Sequence, residues 1–136
     1  MSAVENKKLI REAYDALAEG ERRPLGALFA DEVEWNMIGT TAWSGRYEGK
    51  EAIYRDLLAP LFSLFGDVYS SRASRIIAED DLVVVESRGR VTTKTGKPYN
   101  NAYCMIYRMK AGKIVEITEY LDTALVDAVL EKPAAA

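Results

Sequence analysis

Histidine is absent from the 136 residues of this chain, and cysteine occurs once, as Cys104. Without an imidazole the chain has no neutral-pH histidine base, no Ser-His or Cys-His nucleophile pair and no usual zinc site. A lone cysteine cannot form an internal disulfide, which is compatible with a reducing cytoplasm. The sequence therefore predicts a cytoplasmic protein without a metal site, in which proton transfer would depend on carboxylates, tyrosine, lysine, arginine-assisted water or the termini.

Long apolar runs and concentrations of one charge are also missing. No apolar run approaches about 18 residues, so no membrane span is predicted. The net charge is −3 and the basic residues are scattered, which argues against a nucleic-acid-binding surface. The composition, 49 % apolar and 29 % charged, is typical of one folded domain of this length. We assign residues 1–131 to that domain and expect residues 132–136 to form a frayed tail.

Helical periodicity dominates the first half of the chain. Apolar residues recur on one stripe before Gly20, which predicts an amphipathic helix. Pro24 suits the first turn of a second, short helix, and Pro60 predicts a kink in a third. The predicted elements are a helix at 4–19, a short helix from Arg23, a strand at 33–38, a loop at 39–49 and a helix from about Lys50 to Gly66.

From Asp67 onward the apolar period changes to two. Tight-turn residues at 80–81, 95–96 and 111–112 separate four runs, which predicts an antiparallel meander. The predicted strands are 67–78, 82–93, 98–110 and 113–121, followed by a short helix at 123–130. Helices followed by a long meander indicate an α+β fold in which the helices cover one face of the sheet.

Several motifs resemble a known superfamily. Thr95-Gly-Lys-Pro-Tyr-Asn-Asn-Ala-Tyr, then Gly112-Lys-Ile and Glu119-Tyr-Leu-Asp, resemble the last two strands of SnoaL-like and ketosteroid-isomerase-related proteins of the nuclear transport factor 2 superfamily. Phe29-Ala-Asp-Glu-Val and Gly45-Arg-Tyr-Glu-Gly-Lys agree with the front of those proteins. The resemblance covers nearly the whole chain. It implies an α+β cone, a curved antiparallel sheet wrapped around N-terminal helices with an internal pocket, often in a homodimer.

The ketosteroid isomerases suggest roles for three positions. They use a Tyr and a protonated Asp as oxyanion donors, and a second Asp as the base. Tyr14 matches the tyrosine, whereas Met105 stands at the second oxyanion position and Met37 at the base position. A thioether neither takes a proton usefully nor donates a hydrogen bond. The resemblance therefore implies that steroid-type enolisation by that machinery is not retained.

Limonene-epoxide hydrolases suggest a different set of residues. They use two Asp with an Arg between them, plus an Asn and a Tyr that hold the attacking water. Aligned through the last strands, Glu119 stands at one Asp, while Glu86 and Arg88 occupy the other Asp and the Arg in exchanged order. Asn36 matches the Asn, but Glu34 replaces the Tyr.

Strand alternation bears on the same carboxylates independently. Glu86 and Arg88 share one face of their strand, opposite Val85 and its neighbours, and Glu119 lies in line with aliphatic side chains such as Ile117. If that face is concave, burial raises the pKa of Glu119 above its usual value of about 4.3, and Arg88 would oppose that rise. The alternative for Glu86 and Arg88 is that they form ordinary cross-strand pairs on the surface.

The other candidate residues would line an aromatic and apolar pocket with a few polar groups, which is the usual composition of a small-molecule site. The resemblance makes the face of Tyr103 and Met105 concave. The predicted substrate-binding residues are Trp35, Asn36, Met37, Trp43, Asn101, Tyr103, Met105 and Ile117.

Two functions are compatible with these residues. The first is a cofactor-independent enzyme of isomerase, epoxide hydrolase or cyclase/lyase type, with Glu119 as acid or base, Glu86 as its partner, Arg88 as the orienting group and Tyr14 as a further catalytic candidate. The second is a non-catalytic ligand-binding or dimerisation module, which the methionines at both isomerase Asp positions favour. The expected partners are a small molecule and a second copy of the chain, not nucleic acid or a membrane.

Overall fold

The computed structural model describes residues 1–132, so the predicted tail, apart from Lys132, lies outside the described residues. The helices are α1 (Ala3–Ala18), α2 (Arg23–Gly26), α3 (Lys50–Ala52), α4 (Ala59–Ser63) and α5 (Thr123–Val129), and a π-helical segment, Ile53–Leu58, joins α3 to α4. The strands are β1 (Phe29–Met37), β2 (Gly45–Glu48), β3 (Ser70–Glu79), β4 (Leu82–Arg90), β5 (Ala102–Lys110) and β6 (Lys113–Leu121).

Helix α1 lies against the inner face of the sheet. It begins with a capping box, in which the Ser2 hydroxyl accepts the Glu5 amide at 3.2 Å and the Glu5 carboxylate accepts the Ser2 amide at 3.0 Å. These two bonds satisfy amides that have no partner within the helix. The buried stripe of α1, which includes Ile10 and Tyr14, packs against β3 and β4. The stripe therefore places the Tyr14 side chain over the sheet.

The six strands form one sheet in the order β2-β1-β6-β5-β4-β3. Strands β3 to β6 form the predicted antiparallel meander, and the α+β fold with a curved, unclosed sheet is confirmed. One pairing differs from the antiparallel expectation, because β1 runs parallel to β6 with Trp35 opposite Ile117. Register shifts in three of the strand pairs are bulges that bend the sheet around the helices.

Several predicted boundaries were wrong. The loop predicted at 39–49 contains β2, which pairs with β1 through Tyr47 opposite Trp35. Strand β4 ends before the predicted 93 and β5 begins after the predicted 98, because the Val91 amide donates to the Asn100 side chain at 3.2 Å; an isolated bridge between Thr92 and Pro98 continues the pairing beyond it. Pro98 has no amide hydrogen to donate to a ladder.

The helix predicted from Lys50 to Gly66 is divided by the π-helical segment. Pro60 lies in the first turn of α4, directly after the π-helical segment, and its missing amide hydrogen cannot continue the bonds of that segment. Ile53 and Leu57 of the π-helical segment are buried, so this stretch closes the side of the molecule opposite α1. No helix within residues 1–132 is both long and apolar enough to cross a membrane.

Candidate active site

A cavity of about 540 Å³ lies between the inner face of the sheet and the helices. Its wall is mostly apolar, with side chains from α1, α2, the π-helical segment, α4 and the strands. Arg22, whose guanidinium lies 3.7 Å from the centre of the Phe62 ring, and Arg23 line it on the helix side. The polar groups from α1 and the sheet are those of Tyr14, Trp35, Tyr69, Ser71, Ser87, Tyr103, Tyr107 and Glu119. This composition suits a small, mostly apolar ligand with a few oriented polar atoms.

Glu119 is the only acidic residue in that lining among the described residues. It is 5 % exposed, and its Oε1 accepts a hydrogen bond of 2.9 Å from Trp35 Nε1. Its cross-strand neighbours are Met37 on β1 and Met105 on β5. Burial among these apolar groups raises the pKa of Glu119 to about 7, although the bond from Trp35 acts in the opposite direction. The carboxyl group can therefore both take up and release a proton near neutral pH.

Two tyrosines form a buried pair in the same cavity. The hydroxyl oxygens of Tyr14 and Tyr107 are 2.6 Å apart, and their rings meet edge to face with centroids 6.3 Å apart. Burial raises the pKa of both phenols well above its usual value, so both remain protonated at neutral pH. Only one of the two hydroxyl hydrogens is used in the bond between them. The other can be donated to a ligand oxygen.

A third polar feature lies at the β3–β4 side of the cavity, where Tyr69, Ser71 and Tyr103 form what we term the hydroxyl patch. Burial raises the pKa of Tyr69 to about 12, while the nearby Tyr103 and Ser71 hydroxyls act in the opposite direction. Gly89 lies opposite Ser71 in the ladder. A Cβ atom at Gly89 would lie 2.9 Å from the Tyr69 hydroxyl and 3.0 Å from the Tyr103 ring. The absence of a side chain at Gly89 therefore leaves room for both tyrosines.

The family model of the SnoaL-like domain matches residues 10–117. The chain belongs to the SnoaL-like domain family. It thus lies in the nuclear transport factor 2-like superfamily, as its motifs predicted. No curated protein sequence matches the chain.

Solved structures share the fold of this SnoaL-like domain. Bal32a, from a soil-derived mobile gene cassette, is 22 % identical and has a TM-score of 0.80, over 95 % of this chain and 98 % of its own. TerC, co-crystallised with polyporic acid, is 20 % identical with a TM-score of 0.75, over 91 % of this chain and 96 % of its own. A Mycobacterium tuberculosis LEH-like epoxide hydrolase is 17 % identical with a TM-score of 0.69, over 90 % and 86 % of the two chains. At these identities the matches establish the fold alone.

The structure places some of the predicted site residues together in the SnoaL-like cavity. Those that line it are Tyr14, Trp35, Met37, Tyr103, Met105 and Glu119. The two methionines at the isomerase Asp positions thus lie directly beside the carboxyl group of Glu119. Their catalytic or binding roles remain predictions.

Glu86 and Arg88 lie on the outer face of the sheet. The Glu86 carboxylate pairs with Arg75 at 3.1 Å, and both side chains are largely exposed. Arg88 lies opposite Arg72 in the β3–β4 ladder, and both are exposed. Because successive side chains of β4 alternate, Ser87 between them faces the cavity instead. The prediction that Glu86, Arg88 and Glu119 form one site is therefore wrong, and Glu86 makes the cross-strand surface pair of the alternative.

Two further predicted lining residues are absent from the cavity wall because of strand alternation or packing. Asn36 lies between the inward-facing Trp35 and Met37 on β1, so its side chain is on the outer face. Ile117 faces inward but is fully buried between its cross-strand neighbours Trp35 and Tyr107. Its side chain therefore lies between these two aromatic residues in the sheet.

Trp43 and Asn101 have structural partners away from the cavity. The Trp43 indole donates to the main-chain oxygen of Glu131 at 2.8 Å. Asn101, which is fully buried, donates to the Tyr99 hydroxyl and to the Asp122 main-chain oxygen, and its Oδ1 accepts the Asp122 amide. These bonds use the polar atoms of both side chains, so neither residue is free to contact a ligand.

Sequence reasoning missed the serines and Tyr69 in the site. Alternation along β4 placed Ser87 on the aliphatic face, but the functional interpretation was given to the charged residues Glu86 and Arg88 on the other face. For Ser71 the signal was weaker, because β3 has a register shift between Ala73 and Arg75 that interrupts the period of two. Within residues 1–132, no group of three or more His, Cys, Asp and Glu side chains is placed to hold a metal ion.

Proposed function

We propose that this SnoaL-like domain is a cofactor-independent enzyme that moves a proton within a small, mostly apolar carbonyl compound, as an isomerase does. The observation that carries the proposal is Glu119, a buried carboxyl group with a pKa of about 7 on an apolar cavity wall. A group whose pKa lies near the ambient pH is the most efficient at taking a proton in one step and returning it in the next.

The proton would move in two steps. The Glu119 carboxylate takes a proton from the carbon beside the substrate carbonyl, and the electron pair of the C–H bond moves onto the carbonyl oxygen. The hydroxyl hydrogen that the Tyr14–Tyr107 pair leaves free would stabilise that oxygen, as preorganised donors do in other enzymes. The protonated Glu119 then returns the proton to a second carbon, and the carbonyl is restored.

Isomerisation fits this cavity better than epoxide hydrolysis. The arrangement that the limonene-epoxide hydrolases suggested activates water with one carboxyl group and uses another to protonate the epoxide oxygen. Among the described residues the cavity lining contains a single carboxyl group, and Glu86 lies on the opposite face of the sheet. A proton shuttle needs only one.

The alternative function is non-catalytic binding of a small molecule. The two flexible methionines beside Glu119 favour it, because Met adapts to ligands of varied shape. The homodimer and the cytoplasmic location remain predictions from the resemblance and from the lone cysteine.

The test makes the same Glu-to-Gln substitution at two positions, one inside the cavity and one on the outer face of the sheet. Wild type, Glu119→Gln and Glu86→Gln would be incubated with 2-tetralone in D₂O and with 3-cyclohexenone. Deuterium incorporation would be followed by NMR, and formation of 2-cyclohexenone by ultraviolet absorbance. We expect Glu119→Gln to lower kcat/KM by roughly 10²–10⁴-fold and Glu86→Gln to stay within about twofold of wild type. Wild-type activity should rise with pH and be half-maximal near pH 7, because the base is the deprotonated form of Glu119.

Binding of the same compounds, measured by calorimetry, separates the two functions. Equal turnover by wild type and Glu119→Gln would contradict a role for this carboxyl group. Tight binding by all three proteins, without exchange above the buffer rate, would instead support the binding module.

A further inference from the structure

Ser71 has a buried hydroxyl group that makes no direct hydrogen bond of ordinary length to the protein. It is 3 % exposed, and within residues 1–132 its Oγ has no such bond, although the hydroxyl lies near enough to Tyr69 to lower the pKa of that phenol. A buried polar atom without a partner destabilises the fold, so such atoms are rare in folded proteins. Asn6 Oδ1 has the same property, but only Ser71 lines the cavity. The Ser71 hydroxyl thus lies at the cavity wall without a direct hydrogen bond to another protein atom among the described residues.

The surroundings of Ser71 are also polar. The phenols of Tyr69 and Tyr103 complete the hydroxyl patch on a wall that is mostly apolar. Burial keeps both phenols protonated, since it raises the pKa of each. Tyr69 and Ser71 can each donate and accept a hydrogen bond. The patch therefore suits a ligand hydroxyl group better than an anion or an apolar end.

Ser71 lies far from Glu119 along the sheet. It belongs to β3 and Glu119 to β6, with β4 and β5 between them, whereas Tyr103 of the patch lies on β5, beside the strand of Glu119. Three strand spacings of about 4.8 Å correspond to roughly 14 Å along the sheet, and less through the cavity because the sheet curves around it. A ligand atom at Glu119 and one at Ser71 therefore belong to different parts of the ligand.

We propose that the hydroxyl patch is a second polar subsite, and that the substrate is an apolar ring compound with two oxygen functions. Its carbonyl lies beside Glu119 and the tyrosine pair, and its distal hydroxyl group exchanges hydrogen bonds with Ser71 and Tyr69. The carbonyl end of this assignment rests on the proposed function; the hydroxyl end rests on Ser71. Ser71 is then a specificity-determining residue that takes no part in the proton transfer.

The experiment measures whether a distal hydroxyl group improves binding. Calorimetry would compare 2-tetralone with its 5-, 6- and 7-hydroxy derivatives on wild type, Ser71→Ala and Ser74→Ala. Ser74 is the matched control, because it lies on the same strand but is exposed and bonds to the Glu86 main-chain oxygen at 3.2 Å. We expect wild type and Ser74→Ala to prefer at least one hydroxylated compound by about 5–10-fold, and Ser71→Ala to reduce that preference to within about twofold.

The thermal stability of the ligand-free protein provides a second measurement, in which Ser71→Ala should change in the direction opposite to its affinity. Removing an unpartnered buried hydroxyl should raise the Tm of Ser71→Ala by a few degrees, while its affinity for the hydroxylated compound falls. A lower Tm would show that the hydroxyl has a structural partner and would overturn the proposal. So would a wild-type protein that does not distinguish the four compounds, or a preference that survives in Ser71→Ala.

Repeating the measurements in the Glu119→Gln background separates this inference from the proposed function. If the hydroxyl preference persists and wild type shows no proton transfer, the second polar subsite is supported and the proposed enzyme is contradicted. If wild type transfers protons but shows no hydroxyl preference, the enzyme is supported and the subsite is contradicted.

Discussion

Glu86 and Glu119 are the same residue type in two strands of the same sheet, yet their surroundings differ completely. Glu86 faces outward and is paired with Arg75, with 48 % of its side chain exposed. Glu119 faces inward, is 5 % exposed and has an indole N–H as its hydrogen-bond partner. Water and a cation stabilise the outer carboxylate, whereas an apolar wall destabilises the charge of the inner one.

The comparison shows that charge and residue type alone do not identify an acid-base group. The outer Glu86–Arg88 sequence has the more familiar catalytic composition, but solvent screens it. Burial in an apolar wall brings the pKa of the inner Glu119 toward neutrality, and no cation lines the sheet side of the cavity among the described residues to oppose that rise. The following predictions test this contrast between the two faces.

The largest effect we expect is on the pH dependence of stability. The folded protein binds the Glu119 proton more tightly than the unfolded chain, because the pKa rises from 4.5 to about 7 on folding. Ionised Glu119 therefore destabilises the fold progressively between those two pH values, with a total cost of about 3 kcal/mol above pH 7. Urea unfolding should show Glu119→Gln gaining about 3 kcal/mol relative to wild type between pH 4 and pH 8.

Glu86→Gln provides the control for that curve. Its unfolding free energy should follow wild type to within about 0.5 kcal/mol at every pH, because it alters an exposed pair. If Glu119→Gln also followed wild type, Glu119 would be solvated and the contrast between the faces would disappear.

A smaller effect should follow from changing Trp35. Trp35→Phe removes the hydrogen bond that stabilises the charged carboxylate, so the pKa of Glu119 should rise by about one further pH unit. The measurement is the ¹³C chemical shift of the carboxyl carbon in protein labelled at glutamate, followed across pH. Trp43→Phe is the matched control, because this indole bonds to Glu131 instead; equal titration midpoints in the two variants would contradict the role of Trp35.

The smallest effect concerns the outer face. Arg75→Ala breaks the pair with Glu86, in which the Arg75 side chain is 67 % exposed. Such pairs contribute little, so we expect a loss of less than about 0.5 kcal/mol in unfolding free energy, which falls further at high salt. A loss above about 1 kcal/mol would mean that the outer carboxylate is held as firmly as a buried group.

The sequence predicted the fold in large part because its periodicities are strong. The stripe in α1 and the alternation from β3 to β6 are local signals, and the turns between the strands have distinctive residues. The parallel pairing of β1 with β6 has no local signal, since it depends on how distant segments meet. The same is true of β2, which is four residues long and pairs only with β1.

The candidate site was predicted in part for the same reason. Glu119 stood out because a carboxylate occurred among aliphatic residues of one strand, which is visible from spacing alone. Whether Glu86 or Ser87 faced the cavity depended on which face of β4 is concave, and the charges favoured the wrong one. Tyr69 and Ser71 could not be assigned, because the position of Tyr69 depends on the space that Gly89 leaves, and the register shift in β3 interrupts the period of two near Ser71.

The parallel contact between β1 and β6 also governs when the site can form during synthesis. The Trp35–Glu119 bond joins residues 84 positions apart, so at 5–20 residues per second β1 leaves the ribosome roughly 4–17 s before its partner strand. During that interval the neighbouring strand that β1 can pair with is β2, and contacts of such long range as that between β1 and β6 slow folding. The last strand of the sheet both completes the core and contributes the buried carboxyl group of Glu119, so the nascent chain forms the candidate site only when its folding is nearly complete.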